Sequence, residues 1–225
     1  VLARRYQVVK TAANFNNEIG LPLTILKITA ATQAAVVEMG MRGLGQIREL
    51  AEIARPTIGV VTNVGQTHIE LLGSINRIAQ AKSEMAAAIP ENGLVVLNGD
   101  DRLVRSMAEK AKARVIFFGL NSHCQVRAVD INSNEQKITF NCHYPDGEFS
   151  VVLPVIGRHN VYNALAAITI GLAMGLTSSE IAAGLTAYTP AGMRLQVEKH
   201  GDLVVINDAY NASPLSMQEI GRAHV

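Results

Sequence analysis

The sequence predicts an α/β fold: a doubly wound, mostly parallel sheet with helices on both faces, plus a small antiparallel meander. Three observations carry that reading. The runs AAVVE, IGVVT, LVVLN and RVIFF are apolar almost without interruption, as strands buried on both faces of a parallel sheet are. Segments with helical spacing of apolar residues lie between them, and regular alternation of strand and helix builds a layered parallel sheet. From Gln125 to Val155 the apolar period changes to two, the period of antiparallel strands with one wet face.

In chain order, parallel strands are predicted over Tyr6–Lys10, Ala34–Glu38, Thr57–Thr62, Leu94–Leu97 and Arg114–Phe118. Helices between them are predicted over Gln46–Ala54, Ile75–Ala88 and Asp101–Lys112, each with apolar residues three and four apart. The meander consists of QVRAVDINS, QKITFNCHY and EFSVVLPV, with a turn at Pro145–Gly147. Helices resume at His159–Met174 and Ser178–Tyr188, and either Thr177 or Ser178 can cap the second ahead of Glu180. After Pro190 and Gly192 a fresh strand, LVVIND, runs into the loop DAYNASP, which marks a domain boundary.

Composition excludes several function classes. Of 225 residues, 48% are hydrophobic and 17% charged, enough apolar matter for a large core and too much for disorder. Net charge is +1, without the basic excess that nucleic acid or an anionic membrane attracts. Aromatic residues are 4% with no Trp, which argues against base-stacking platforms. Cys124 and Cys142 form no CxxC pair and read as reduced cytoplasmic thiols. The most apolar stretch, Val161–Leu176, is interrupted by Asn163 and Thr169 and falls short of the ~20 residues that span a bilayer. The start VLARRYQVVK has neither an initiator Met nor an apolar leader, so the chain is expected to begin within a longer protein. Ile220–Val225 (IGRAHV) reads as an in-frame translated sequencing adapter and is expected not to belong to the fold.

In an open parallel sheet, ligands collect beyond the carboxyl ends of the strands. Those positions hold Glu38 and the loop MGMRGLG after the second strand, then Asn63, Gly65, Thr67 and His68 after the third, and Asp100 and Asp101 after the fourth. A carboxylate, an imidazole and neighbouring hydroxyl and amide oxygens suit a hard divalent cation. Each has a plainer reading too: Glu38 and His68 as solvated loop residues, and Asp100 and Asp101 as helix caps, which is the preferred reading for those two. The Gly40, Gly43, Gly45 spacing does not fit a dinucleotide-binding loop; it reads as a strand-to-helix turn with some capacity to hold an anion. Lys82, among alanines in a helix, is either solvated or a lysine of lowered pKa able to take up carbon dioxide as a carbamate. Asn160 and Asn163 share one helix face and either cap the helix or read a purine edge. Arg194 lies just past the boundary, at the surface or within reach of a phosphate.

Six motifs carry a resemblance. TAANFNNEIGLPLT, VVEMGMRGLGQI, NVGQTHIELLGS, AKSE, GRHNVYNALAA and NDAYNASP occur in that order across residues 1–219 and resemble the Mur ligases. The resemblance is strongest to the branch that joins D-alanyl-D-alanine to UDP-N-acetylmuramoyl-tripeptide in peptidoglycan synthesis. It implies a central ATPase domain over residues 1–189 and the truncated start of a Rossmann-like C-terminal domain over 190–219. It also implies ATP, two Mg²⁺ ions and an acyl-phosphate intermediate, in a cytoplasmic enzyme that is monomeric when full-length. By resemblance, Glu38 and His68 take part in Mg²⁺ binding and Lys82 is a carbamylated lysine supporting the second ion. Asn160 and Asn163 would lie by adenine, Arg194 at the ATP phosphates and Asp208 on the ribose side. Asn14, Asn16 and Asn17 would lie near the UDP-linked substrate.

Ser213 stands where the family pattern often has Asn. A larger departure is that no Gly-Lys pair occurs in the sequence, so the family's G-x-x-G-K-[ST] phosphate loop is not present. The 225-residue chain alone is therefore expected to be inactive as a ligase and to bind ATP poorly. Two other readings stay open. One is a sister ligase, either the diamino-acid-adding enzyme or folylpolyglutamate synthase; the other is a non-catalytic nucleotide-binding module.

Overall fold

Two short parallel strands, β1 (Val8–Lys10) and β2 (Ala34–Val36), pair with Val9 opposite Ala35. They are joined through the helix α1 (Gly20–Ile25). The computed structural model describes residues 1–65, 69–190, 192–194, 196–201, 203–211 and 217. Helix α2 (Gln46–Ala54) leads to β3 (Ile58–Val61), and α3 (Ile69–Leu72) and α4 (Ile75–Ala88) lead to β4 (Leu94–Asn98). Helix α5 (Arg102–Ser106), continued by a 3₁₀ turn at Met107–Lys110, leads to β5 (Arg114–Gly119). Then come β6 (Val126–Ser133), β7 (Ile138–Tyr144), β8 (Gly147–Leu153), α6 (His159–Ala173), α7 (Ser178–Thr186) and a hairpin of β9 (Gln196–His200) with β10 (Leu203–Asn207).

One six-stranded sheet, in the order β3-β4-β5-β6-β7-β8, holds the core. The pairs from β3 to β6 are parallel and the last two antiparallel. All five residues of β4 are buried. Leu94 and Val96 pack with Val161, Leu165 and Ile168 of α6 and Ile181 of α7. Val95 and Leu97 pack with Ile47 of α2, Ile78 of α4 and Val104 of α5. Helices thus cover both faces, which is why this strand reads as an unbroken apolar run.

The meander is part of the main sheet rather than an appendage, because β6 pairs in parallel with β5, Phe118 opposite Val126. Helices α2 and α4 lie where their periodicity puts them, whereas the segment 101–112 breaks into α5 and the 3₁₀ turn. The segments α1, α3 and β9 gave no sequence signal. The first two span six and four residues, less than two turns, and α1 contains Pro22. Strand β9 owes its existence to pairing with β10, turned at Gly201 with φ +62°.

Thr177, not Ser178, caps α7. Its hydroxyl accepts from the Glu180 N–H while the Glu180 carboxylate accepts from the Thr177 N–H, a complete capping box. Glu180 also pairs with Arg5. The Thr177 backbone donor and Arg5 hold the Glu180 carboxyl down at about 2. A depressed carboxyl stabilises the fold above its unfolded value and loses that contribution as pH falls through the folded one. The window therefore runs from about 4.5 down to about 2. Glu180→Gln is expected to flatten this part of the acid limb, read as thermal midpoints between about pH 2 and pH 6.

Candidate active site

Glu38 follows β2 and is held from the loop after β1. Its N–H donates to the Thr11 hydroxyl at 2.9 Å, and its Oε1 accepts from Asn16 Nδ2 at 2.9 Å. The Gly40 N–H in turn donates to the Asn16 carbonyl at 2.7 Å. Asn16, which the resemblance places near the UDP-linked substrate, is also the side chain that fixes the Glu38 carboxylate. Asn17 Oδ1 accepts from the N–H groups of Ile19 and Gly20 and opens α1. Asn14 is exposed on the same loop, and its carbonyl accepts from the Asn16 N–H.

Lys82 sits on α4 and its Nζ donates to the Asn63 carbonyl at 2.7 Å. The N–H of that same peptide unit, on Val64, donates to Asp101 Oδ2 at 2.8 Å. One peptide group just past β3 is therefore gripped at both ends. Buried Asn98 holds the preceding carbonyl, Thr62, at 2.9 Å. Burial pushes the Lys82 pKa down, with Asp101 opposing that shift. Asp101 is also the α5 cap, its Oδ1 accepting from Leu103 and Val104. His68 follows this loop and lies outside the described residues.

The loop MGMRGLG holds an anion, and that anion is internal. Glu84, two residues beyond Lys82, accepts from the Gly45 N–H at 2.7 Å and the Arg48 N–H at 3.1 Å. Gln46 Oε1 accepts from Arg42 and Gly43. Two of the amides at the start of α2, those of Gly45 and Arg48, are thus taken by Glu84, and Gln46 ties down the loop that leads into the helix. Glu84 in the AKSE motif fastens the Glu38 loop to the helix that bears Lys82. Glu84→Ala is expected to cost about 1–2 kcal/mol of stability, as loss of a charged cap does, measured by urea unfolding.

Asp100 is no helix cap. Its carboxylate accepts from the N–H groups of Leu120 and Asn121, from Asn121 Nδ2 and from the Tyr162 hydroxyl. Burial raises its pKa, but these donors outweigh burial and the net shift is downward. Asp100, His123 and Cys124 form a group of potential metal ligands. The chemistry is against a metal there: the carboxylate is filled by donors, His123 Nε2 lies 3.0 Å from the Gly99 carbonyl, and burial and Asp100 push the Cys124 thiol up to about 11.

Asn160 and Asn163 open α6. Asn160 Nδ2 donates to the Ile156 carbonyl at 2.8 Å, and its Oδ1 accepts from Asn163 Nδ2 at 3.2 Å. Asn160 is committed to the turn, whereas exposed Asn163 keeps its carbonyl oxygen and one amide hydrogen without a partner among the described residues. Arg194 stacks over the Tyr210 ring at 4.1 Å, and Asp208 is half-buried after β10. Glu84 and Tyr162 are site-building residues to which sequence reasoning assigned no role, and Asn63 and Asp100, named there as strand-end positions, act through contacts the sequence did not show. Their partners lie 19 to 62 residues away, beyond any local pattern.

Glu38 after the two-stranded β1-β2 sheet, the gripped Asn63 loop after β3 of the six-stranded sheet and the half-buried Lys82 on α4 are set on the fold of a Mur ligase middle domain. That family profile matches residues 1–171, and the chain belongs to the family. It is 39% identical over 219 residues to the UDP-N-acetylmuramoyl-tripeptide–D-alanyl-D-alanine ligase of Bacillus subtilis, covering 97% of this chain and 47% of that protein. Among solved structures, MurF from Acinetobacter baumannii superposes with a TM-score of 0.94 at 31% identity, over 99% of this chain and 49% of that one. MurF ligase from Thermotoga maritima in complex with ADP gives 0.88 at 28% identity, over 99% and 51%. The chain spans about half the length of the curated relatives it matches. No helix among the described residues is long and apolar enough to cross a membrane.

Proposed function

We propose that this chain is the central part of an ATP-dependent amide ligase that joins D-alanyl-D-alanine to UDP-N-acetylmuramoyl-tripeptide, in the cytoplasm. The carrying observation is the 39% identity, over 97% of the chain, to a relative named for that reaction. In the reaction a carboxylate oxygen of the tripeptide attacks the γ-phosphorus of ATP and ADP leaves. The amine nitrogen of D-alanyl-D-alanine then attacks the acyl-phosphate carbon, loses a proton, and inorganic phosphate departs.

The residues fit a hard cation: Glu38 offers a carboxylate held at one oxygen by Asn16, and with His68 and a modified Lys82 it would hold Mg²⁺. Bound Mg²⁺ would supply neutralisation of phosphate charge. The lowered pKa of Lys82 favours the neutral amine that adds to carbon dioxide. The N–C bond forms, one proton is released, and the remaining N–H keeps its bond to the Asn63 carbonyl. Asn163 presents one donor and one acceptor, the complement of the adenine edge, with Asn160 fixing it. Arg194 and Asp208 are assigned to the phosphates and the ribose, and Asn14, Asn16 and Asn17 to the wall facing the UDP-linked substrate. With no Gly-Lys pair in its sequence, the 225-residue chain alone should not turn over.

The test uses the intact gene product with ATP, Mg²⁺, the UDP-linked tripeptide and either D-alanyl-D-alanine or a diamino acid. Amide formation and phosphate release with D-alanyl-D-alanine alone are expected. Use of the diamino acid instead would assign a sister ligase, and nucleotide binding without product would assign a non-catalytic module.

A further inference from the structure

We propose that Asp100 and Tyr162 are positioning residues that set the first turn of α6 and, through it, the amide of Asn163 that reads the nucleotide base; this rests on the nucleotide reading above.

Arg158, at the N-cap of α6, makes no side-chain cap bond among the described residues. Asn160 ties the turn only to Ile156, four residues back, which shapes the turn without placing it against the sheet. Apolar packing of Val161 and Leu165 seats the helix, but such contacts are non-directional. The Tyr162 hydroxyl supplies direction: from between Asn160 and Asn163 it donates to Asp100 Oδ2 at 3.2 Å, 62 residues away.

Asp100 is itself rigidly held. At the end of β4 its carboxylate takes the Leu120 N–H at 2.6 Å, the Asn121 N–H at 3.2 Å and Asn121 Nδ2 at 2.6 Å. It lies so close to the end of β5 that a Cβ on Gly119 would meet the carboxylate at 2.8 Å. One carboxylate thus locks the ends of β4 and β5 and the start of α6 into one frame.

That frame matters because Asn163 reads a base through one oxygen and one N–H, a pairing that recognises adenine and is mismatched to guanine. Such discrimination needs placement to within ~0.5 Å. Neither Asp100 nor Tyr162 need touch the nucleotide.

The experiment measures kcat and KM for ATP and GTP in the intact gene product carrying Tyr162→Phe, Asp100→Asn or Asn163→Ala, with thermal midpoints. For Tyr162→Phe we expect KM for ATP to rise about three- to tenfold, kcat to fall less than twofold, and the ATP-over-GTP ratio of kcat/KM to drop about fivefold. Asp100→Asn should move the ratio in the same direction. A ratio that moves in Asn163→Ala but stays at the parent value in folded Tyr162→Phe and Asp100→Asn overturns the positioning role alone. A ratio unmoved in all three overturns the nucleotide reading on which it rests.

Discussion

Replacing Lys82 with Met in the intact gene product is expected to reduce ligase turnover about a hundred- to a thousandfold while leaving stability nearly unchanged. The two halves of this expectation have separate causes. Burial disfavours the Lys82 ammonium, so an apolar side chain of similar length removes a desolvation cost. It also removes the bond to the Asn63 carbonyl, worth about 1 kcal/mol, and the two nearly cancel. Activity has no such compensation, since Met can neither form a carbamate nor hold the loop that leads to His68. The pH dependence gives an independent reading. A lysine whose folded pKa lies below 10.5 binds fewer protons folded than unfolded, so stability rises with pH between those two values. Lys82→Met should abolish that rise. An active variant, or one destabilised by several kcal/mol, contradicts the assignment.

Gly20→Ala should damage the fold and the site together. A Cβ at Gly20 would meet the Phe15 Cα at 2.4 Å and its carbonyl carbon at 2.5 Å, and a backbone cannot yield as a flexible side chain can. Asn16 follows Phe15 and holds Glu38 Oε1, so any shift that relieves the clash moves the carboxylate. Overpacking of this kind costs about 1–3 kcal/mol. Activity should fall at least tenfold, since small misplacements of positioned groups are costly. Urea unfolding and steady-state turnover on the same preparation check both. A Gly20→Ala enzyme of normal stability and rate would show that the loop after β1 does not set Glu38.

Much of the sheet was legible because parallel strands covered on both faces leave unbroken apolar runs. β4 is the clearest case, with every residue buried. Helices α2 and α4 were legible at both ends, the first ending at a left-handed Arg55 and the second starting at a Ser74 cap. The hairpin partner β9 was not, because QVEKH has no apolar face and gains its strand from β10. Within the site, Glu38 and Lys82 stood out by their places after a strand and within an alanine-rich helix. Asp100 was misread as a cap because a carboxylate after a strand and before a helix has the same local signature whichever way it turns. Asp101 turns toward α5 and Asp100 toward Leu120 and Tyr162. Nothing local shows that the Asn16 amide reaches Glu38, 22 residues further on.

The central claim is that Glu38 and a carbamylated Lys82 build one metal centre. Its most direct measurement is anomalous diffraction from crystals of the intact gene product grown with Mn²⁺ in place of Mg²⁺. The predicted result is a manganese peak about 2.1 Å from a Glu38 carboxylate oxygen, with extra density for a carboxyl group on Lys82 Nζ. A map with no manganese at Glu38, an unmodified Lys82, or the metal bound instead by Asp100, His123 and Cys124 would contradict it.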